Sequence, residues 1–167
     1  MMIDEIQVQE LSKEVYAEIG EYITYPEHKP TIEEDIVRYW ANLGEFNIEG
    51  IVDIGWVTMY KRPMVITEME RHFNTTEIVI PLDEMVVPVA IGRDIGEHKV
   101  KPKLEDIRAF YLRPGQVITY KPGSWHFGGF PLDRDEANFI VFCRKGTADQ
   151  DVIMRDIDGI EKVNISV

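Results

Sequence analysis

The sequence has 167 residues, 44% of them hydrophobic and 29% charged, a composition that supports a buried core and excludes a disordered chain. Asp plus Glu number 30 against 18 Lys plus Arg, and the net charge of -12 argues against nucleic acid or an anionic membrane surface as partner, since both select a basic face. The single cysteine, Cys143, excludes an intrachain disulfide; with no apolar run of membrane-spanning length and an acidic N-terminal stretch, the cytoplasm is the simplest location.

In chain order, Ser12 to Ile19 reads as a short helix. Ser12 can cap it, Glu14 suits its positive end, Leu11, Val15 and Ile19 share a face, and Gly20 stops it. Tyr22 to Tyr25 reads as a strand closed by Pro26. Residues 26–50 are punctuated by Pro26, Pro30, Asn42, Gly44 and Gly50, with room for a short helix near Glu33 to Trp40.

From Ile54 onward the pattern changes to short, closely spaced strands. They are expected at Gly55 to Tyr60, Thr76 to Pro81, Val86 to Ile91, Ile107 to Leu112, Gln116 to Tyr120, Asn138 to Cys143 and Asp151 to Ile157. Turn signals separate them: Leu82-Asp83-Glu84, Gly92 to Gly96, Arg113-Pro114-Gly115, Lys121-Pro122-Gly123 and Leu132 to Glu136. A βαβ parallel sheet would lack its helical crossovers, whereas an all-β sandwich or closed barrel fits. Pro88 within an apolar strand predicts a bulge or an edge position. No repeat or linker interrupts residues 1–167, which read as one domain.

Two segments carry candidate chemistry, Glu70-Arg71-His72-Phe73-Asn74-Thr75-Thr76-Glu77 and Pro122-Gly123-Ser124-Trp125-His126. On a strand, Glu70 and His72 point to the same side. The five-residue step to Glu77 needs a turn or bulge, which Asn74-Thr75-Thr76 suits. His126, just past a Pro-Gly turn, can join from a neighbouring strand. Two imidazoles and two carboxylates suit Zn²⁺, Ni²⁺, Mn²⁺ or Fe²⁺ with positions open to a chelating substrate.

His28 and His98 read as solvated surface, and Cys143 as a small hydrophobe in an apolar strand. Arg62, Arg71, Arg108 and Lys121 are the candidates for holding an anion, each with a surface salt bridge as its alternative. Trp125 and Phe127 flank His126 and either line the pocket or fill the core.

The spacing Glu70-x-His72-x4-Glu77, then Gly115 and Pro122-Gly123-x-x-His126, resembles the two metal motifs of cupins, with Glu70 in place of the usual first histidine. More closely, the chain resembles the ureidoglycolate lyase family. The resemblance lies in Leu11-Ser12 through Tyr22-Ile23, Met69-Glu70-Arg71-His72 with Thr76 and Ile80-Pro81, Leu104 through Arg108-Ala109-Phe110, Gly115-Gln116 with Tyr120, Trp125-His126, and Arg144 through Asp151.

It implies a cupin double-stranded β-helix, a jelly-roll barrel with a short N-terminal helix. It also implies a homodimer that cleaves (S)-ureidoglycolate, a small anionic substrate, to glyoxylate and urea in allantoin and purine breakdown. By position, Glu70, His72, Glu77 and His126 would hold a divalent metal. Glu70, Glu77 or Lys121 would carry the proton, and Arg62, Arg108, Tyr120 and Trp125 would contact substrate. Glu77 stands where the family often has Gln, Phe127 and Lys121 where it often has His, and Cys143 where it often has Asp. The alternatives are another hydroxy, keto or sugar acid as substrate, or a non-catalytic ligand-binding cupin.

Overall fold

The computed structural model describes residues 5–93 and 100–167; His98 and most of the expected Gly92 to Gly96 turn lie outside the described residues. The strand β1 (Glu5–Gln9) leads into helix α1 (Lys13–Tyr16), whose first turn is capped by the Ser12 hydroxyl accepting from Val15 N. Then come β2 (Tyr22–Ile23), β3 (Ile32–Glu34), β4 (Val37–Tyr39), β5 (Val52–Tyr60), β6 (Val65–Ile66), β7 (Glu68–Arg71), β8 (Glu77–Pro81) and β9 (Met85–Ala90). After a single 3-10 turn at Leu104–Asp106 follow β10 (Ile107–Leu112), β11 (Val117–Tyr120), β12 (Trp125–His126), β13 (Phe130–Pro131) and β14 (Glu136–Arg144). Helix α2 (Thr147–Gln150), β15 (Ile153–Asp156) and β16 (Val163–Ser166) complete the described chain. Among the described residues, no helix is long and apolar enough to cross a membrane.

Two sheets face each other in a jelly roll. The larger runs β15-β7-β12-β9-β10-β1-β16-β6, with β13 also pairing β9; the smaller runs β2-β11-β8-β14-β5. The larger sheet curls, because β6 near one end and β7 near the other are separated only by Thr67.

The two-residue period of β9 explains why all six of its residues are buried. Met85, Val87 and Val89 point between the sheets, with Tyr16, Phe110, Ile118, Tyr120 and Phe139. Val86 and Ala90 point to the opposite face, where the curl encloses Met69, Ala109, Trp125, Phe130 and Ile165. Burial of this kind, about 25 cal/mol per Å² of apolar surface, is the main force holding the sheets in register.

Two Pro-Gly turns follow one local rule. Gln116 N donates to Arg113 O, and Ser124 N to Lys121 O, with Gly115 at φ +88 and Gly123 at φ +86. Proline presets the second position of such a turn and glycine tolerates the left-handed third. The second turn delivers the chain directly into β12 and thereby places His126.

Several expectations are corrected. The segment expected as a short helix near Glu33 to Trp40 is instead the hairpin β3–β4, in which Glu34 opposes Val37 across the turn. Its Ile32, Val37 and Tyr39 side chains are exposed, so it has no buried stripe of the kind that would hold a short helix. Pro88 is not at an edge, since β9 has β10 on one side and β12 and β13 on the other, but it does face a bulge: residues 127–129 of the neighbouring segment oppose only Val87 and Pro88. It falls in the gap between β12 and β13, where the second ladder is interrupted and a missing N–H costs no strand bond there. The strand expected at Asp151 to Ile157 begins at Ile153, after the helix α2.

Candidate metal centre

The site lies where the two sheets face each other. Glu70 on β7 and His126 on β12 are direct cross-strand partners in the larger sheet. Within β7, Met69 and Arg71 turn to the enclosed core, so Glu70 faces the opposite way. The turn at residues 72–76 then carries the chain to the smaller sheet. Glu77 opens β8 there, opposite Tyr120 of β11. The five-residue step between His72 and Glu77 is thus a change of sheet.

Ligand atoms of Glu70, His72 and His126 all lie within 4.8 Å of one another, forming a cluster able to hold a divalent metal ion. Glu77 Oε2 is 3.2 Å from His72 Nε2 and 3.8 Å from His126 Nε2, while Glu70 Oε1 is also 3.8 Å from His126 Nε2. The far side of each ring is occupied. His72 Nδ1 is 2.6 Å from the Asp151 carbonyl oxygen and His126 Nδ1 is 3.2 Å from that of Ser124. A carbonyl accepts only, so each Nδ1 carries a proton, and in the neutral ring each Nε2 then presents its lone pair inward.

The Nε2 of His126 is buried and has no hydrogen-bond partner. Such an atom is costly unless something fills the space in front of it. A cation fits that place: two imidazole lone pairs and two carboxylates form a borderline donor set for a first-row divalent ion.

The electrostatics agree. Burial would raise the Glu77 carboxyl, but His126 and His72 beside it hold it below the ordinary glutamate range. Burial pushes His72 down, and the Glu77 carboxylate and Asp151 carbonyl outweigh it, leaving the ring above the ordinary histidine range. For His126 burial prevails over the attraction of Glu77, and the ring is held below that range. The Tyr120 ring stacks on His126 at 4.3 Å, closing the site on that side. Its hydroxyl is pushed well up by burial and the nearby carboxylates, so it stays a neutral phenol.

The other sequence candidates are placed differently. Arg62 donates to the carbonyl oxygens of Gly128 and Gly129 at 2.8 and 3.1 Å and lies over the Phe130 ring, which anchors the segment bordering the cavity. Arg108 donates to the Glu105 and Ile107 carbonyls. Lys121 is exposed and donates to Ala17 O at the end of α1. Trp125, next to His126, alternates to the enclosed core, where Arg71 lies 4.2 Å above its ring. None of these four lines the cavities at the cluster. Phe127 does line them, and Cys143 is half-buried in the wall, its thiol pushed up chiefly by burial.

One contributor escaped sequence reasoning. The Asp151 carboxylate accepts from Phe73 N at 3.0 Å and Asn74 N at 2.7 Å, while its carbonyl holds the His72 ring. It thus fixes both the turn and the ligand. Nothing local in Asp149-Gln150-Asp151 signals a partner some eighty positions earlier.

A jelly roll with imidazole and carboxylate ligands gathered between its sheets defines a metal-binding cupin, and the class of enzyme is metal-dependent. The family model described as ureidoglycolate lyase matches residues 3–158, and the chain belongs to that family. The ureidoglycolate lyases of Escherichia coli O1:K1 / APEC and of Shigella boydii serotype 18 are each 29% identical over 154 residues, covering 88% of this chain and 92% of theirs. Among solved structures, a 3,4-ketoisomerase from Thermoanaerobacterium thermosaccharolyticum overlaps 80% of this chain and 86% of its own, with 12% identity and a TM-score of 0.47. A dTDP-6-deoxy-D-glucose-3,5-epimerase from Legionella pneumophila overlaps 73% and 65%, with 15% identity and a TM-score of 0.44.

Proposed function

We propose that this chain is a lyase that cleaves (S)-ureidoglycolate to glyoxylate and urea, with Glu70, His72, Glu77 and His126 holding a divalent metal. The observation that carries the reading is the buried, unpartnered Nε2 of His126, facing two carboxylates and a second imidazole in a family of this activity. When bound, the metal supplies Lewis acidity toward a hydroxy acid and offsets the two carboxylate charges.

The residues themselves divide the remaining work. The two carbonyl-held imidazoles keep their lone pairs toward the metal position. Glu77, only 13% exposed at its side chain and favoured as the anion by both rings, acts as a fixed ligand. Glu70 is about one-third exposed at its side chain and lines the cavity, so it is the carboxylate best able to move a proton. It accepts the proton of the substrate hydroxyl as the carbinolamine C–N bond breaks, and returns a proton to the departing urea nitrogen. Tyr120 excludes water from the buried side of His126. Arg62, Arg108 and Lys121 are engaged by backbone carbonyls, so a divalent ion held by the cluster, rather than a guanidinium, would supply the positive charge for the substrate carboxylate.

The protein is expected to be a cytoplasmic homodimer. The exposed Val52, Ile54, Trp56 and Tyr60 of the sheet-edge strand β5 provide an apolar face that pairing would cover. The deciding experiment strips the purified protein of metal and reloads it in turn with Mn²⁺, Fe²⁺, Ni²⁺ and Zn²⁺. Glyoxylate release from (S)-ureidoglycolate by at least one loaded form, abolished in Glu70→Gln, is the expected result. No release from any form would refute the reading.

A further inference from the structure

The cluster opens onto a cavity of about 560 Å³ whose floor is Glu70, His72 and Glu77. Its walls are mostly hydrocarbon: Val57 and Met59 from β5, Phe139 and Val141 from β14, and Val152 and Met154 on the stretch entering and forming β15, with Cys143 and Thr147 the polar side chains among them. Among the described residues, no lysine or arginine lines it. Cavities of this volume accommodate drug-sized ligands rather than a two-carbon acid joined to urea. Against such walls the free end of a urea group would lose its hydrogen bonds to water and regain few, which is unfavourable. A hydrocarbon substituent at that end would instead bury apolar surface.

Resting on the lyase reading above, we propose that the cavity receives the leaving group of the reaction and that this group carries an apolar chain. The substrate class is a 2-hydroxyglycine joined through nitrogen to a carbamoyl or acyl unit bearing hydrocarbon. Its carboxylate and hydroxyl lie at Glu70, His72 and His126, and its chain extends toward Val152 and Met154. In the reaction the hydroxyl loses its proton and its O–H electron pair forms the carbonyl of glyoxylate. The C–N bond breaks with its electrons on nitrogen, which takes up one proton and leaves as a substituted urea or amide. No oxidant, reductant or water is consumed.

The test compares oxalurate, a stable planar analogue of ureidoglycolate, with N′-butyl oxalurate, by calorimetric titration of the Mn²⁺-loaded protein. Burial of about half of the butyl surface predicts roughly 10- to 30-fold tighter binding of the butyl compound. In parallel, kcat/KM for N′-butyl ureidoglycolate is expected to exceed that for ureidoglycolate by a similar factor. Val152 and Met154 are 39% and 37% exposed, so Val152→Glu and Met154→Glu are tolerable to the fold. Each is expected to reduce the butyl preference severalfold.

Equal or weaker binding of the butyl compound overturns the proposal, whether or not ureidoglycolate is cleaved. An unchanged preference in both variants overturns the assignment to this cavity. Tighter butyl binding without glyoxylate release from either substrate refutes the lyase reading and leaves the apolar recognition standing.

Discussion

Asp151 is the residue through which the turn and the candidate metal ligand His72 are tied together, and Asp151→Ala separates the two roles. The substitution removes the carboxylate that accepts from Phe73 N and Asn74 N and leaves the main-chain carbonyl that holds His72 Nδ1. Two backbone N–H groups lose a carboxylate acceptor in a part-buried place. With partial replacement by water, the cost is about 2–3 kcal/mol. For a chain of this size that corresponds to a Tm lower by roughly 4–12 °C in the metal-free protein. Because the turn also sets where the His72 ring stands, metal affinity is expected to fall roughly 10- to 100-fold, the usual scale for loss of an outer-shell contact. Asp151→Asn retains one acceptor oxygen and should recover part of both. The assays are thermal unfolding of the metal-free protein and calorimetric metal titration. A lower Tm with metal affinity within about twofold of wild type would show that Asp151 supports the turn alone, and the positioning argument would be wrong.

Other outcomes follow from the same geometry. Glu77 is held below the ordinary carboxyl range, so its stabilisation of the metal-free protein is present above the unfolded value of 4.5 and is lost as pH falls through the folded one. Glu77→Gln should therefore flatten the acid limb of a stability-versus-pH curve, and an unchanged limb would count against the ion pairs. Metal affinity should weaken as the solution is acidified, since both Nε2 atoms must be free; competition at His72 begins above 6.5 because its ring is raised. A pH-independent metal affinity between about pH 5 and 8 would contradict that ligand set. Trp125→Phe removes packing from the enclosed core, where Arg71 lies on the indole, and should cost about 1–3 kcal/mol in denaturant unfolding. It should leave KM for ureidoglycolate unchanged, and a raised KM would return Trp125 to the substrate. Tyr120→Ala uncovers the ring of His126 and should lower metal affinity, whereas Tyr120→Phe, which keeps the stack, should not.

The candidate ligand cluster and the fold class are both legible from the chain. Glu70-x-His72 and Pro-Gly-x-x-His126 are local patterns, and turn chemistry with two-residue alternation is enough to exclude helical crossovers. The turn at Asn74-Thr75-Thr76 is equally readable, because the odd step to Glu77 demands one. The surroundings of the ligands are not readable in this way. Arg62, Arg108 and Lys121 look like anion anchors by charge, yet each guanidinium or ammonium donates to a backbone carbonyl contributed by the fold. Trp125 is adjacent to His126 in sequence and faces the opposite side of the sheet, a difference of one residue in a two-residue period. The hairpin at Ile32–Tyr39 has neither a buried face nor a marked turn, so nothing local distinguishes it from a helix.

What the sequence alone determined is therefore the chemistry of the ligands and the turns that deliver them, because donor type, strand period and Pro-Gly geometry are properties of neighbouring residues. Only the tertiary structure decided which way the flanking side chains face, that Asp151 holds His72 from the far end of the chain, and that the cavity above the candidate metal centre is walled mostly by hydrocarbon. Those features come from strands distant in sequence meeting across two sheets, and no local pattern encodes such a meeting.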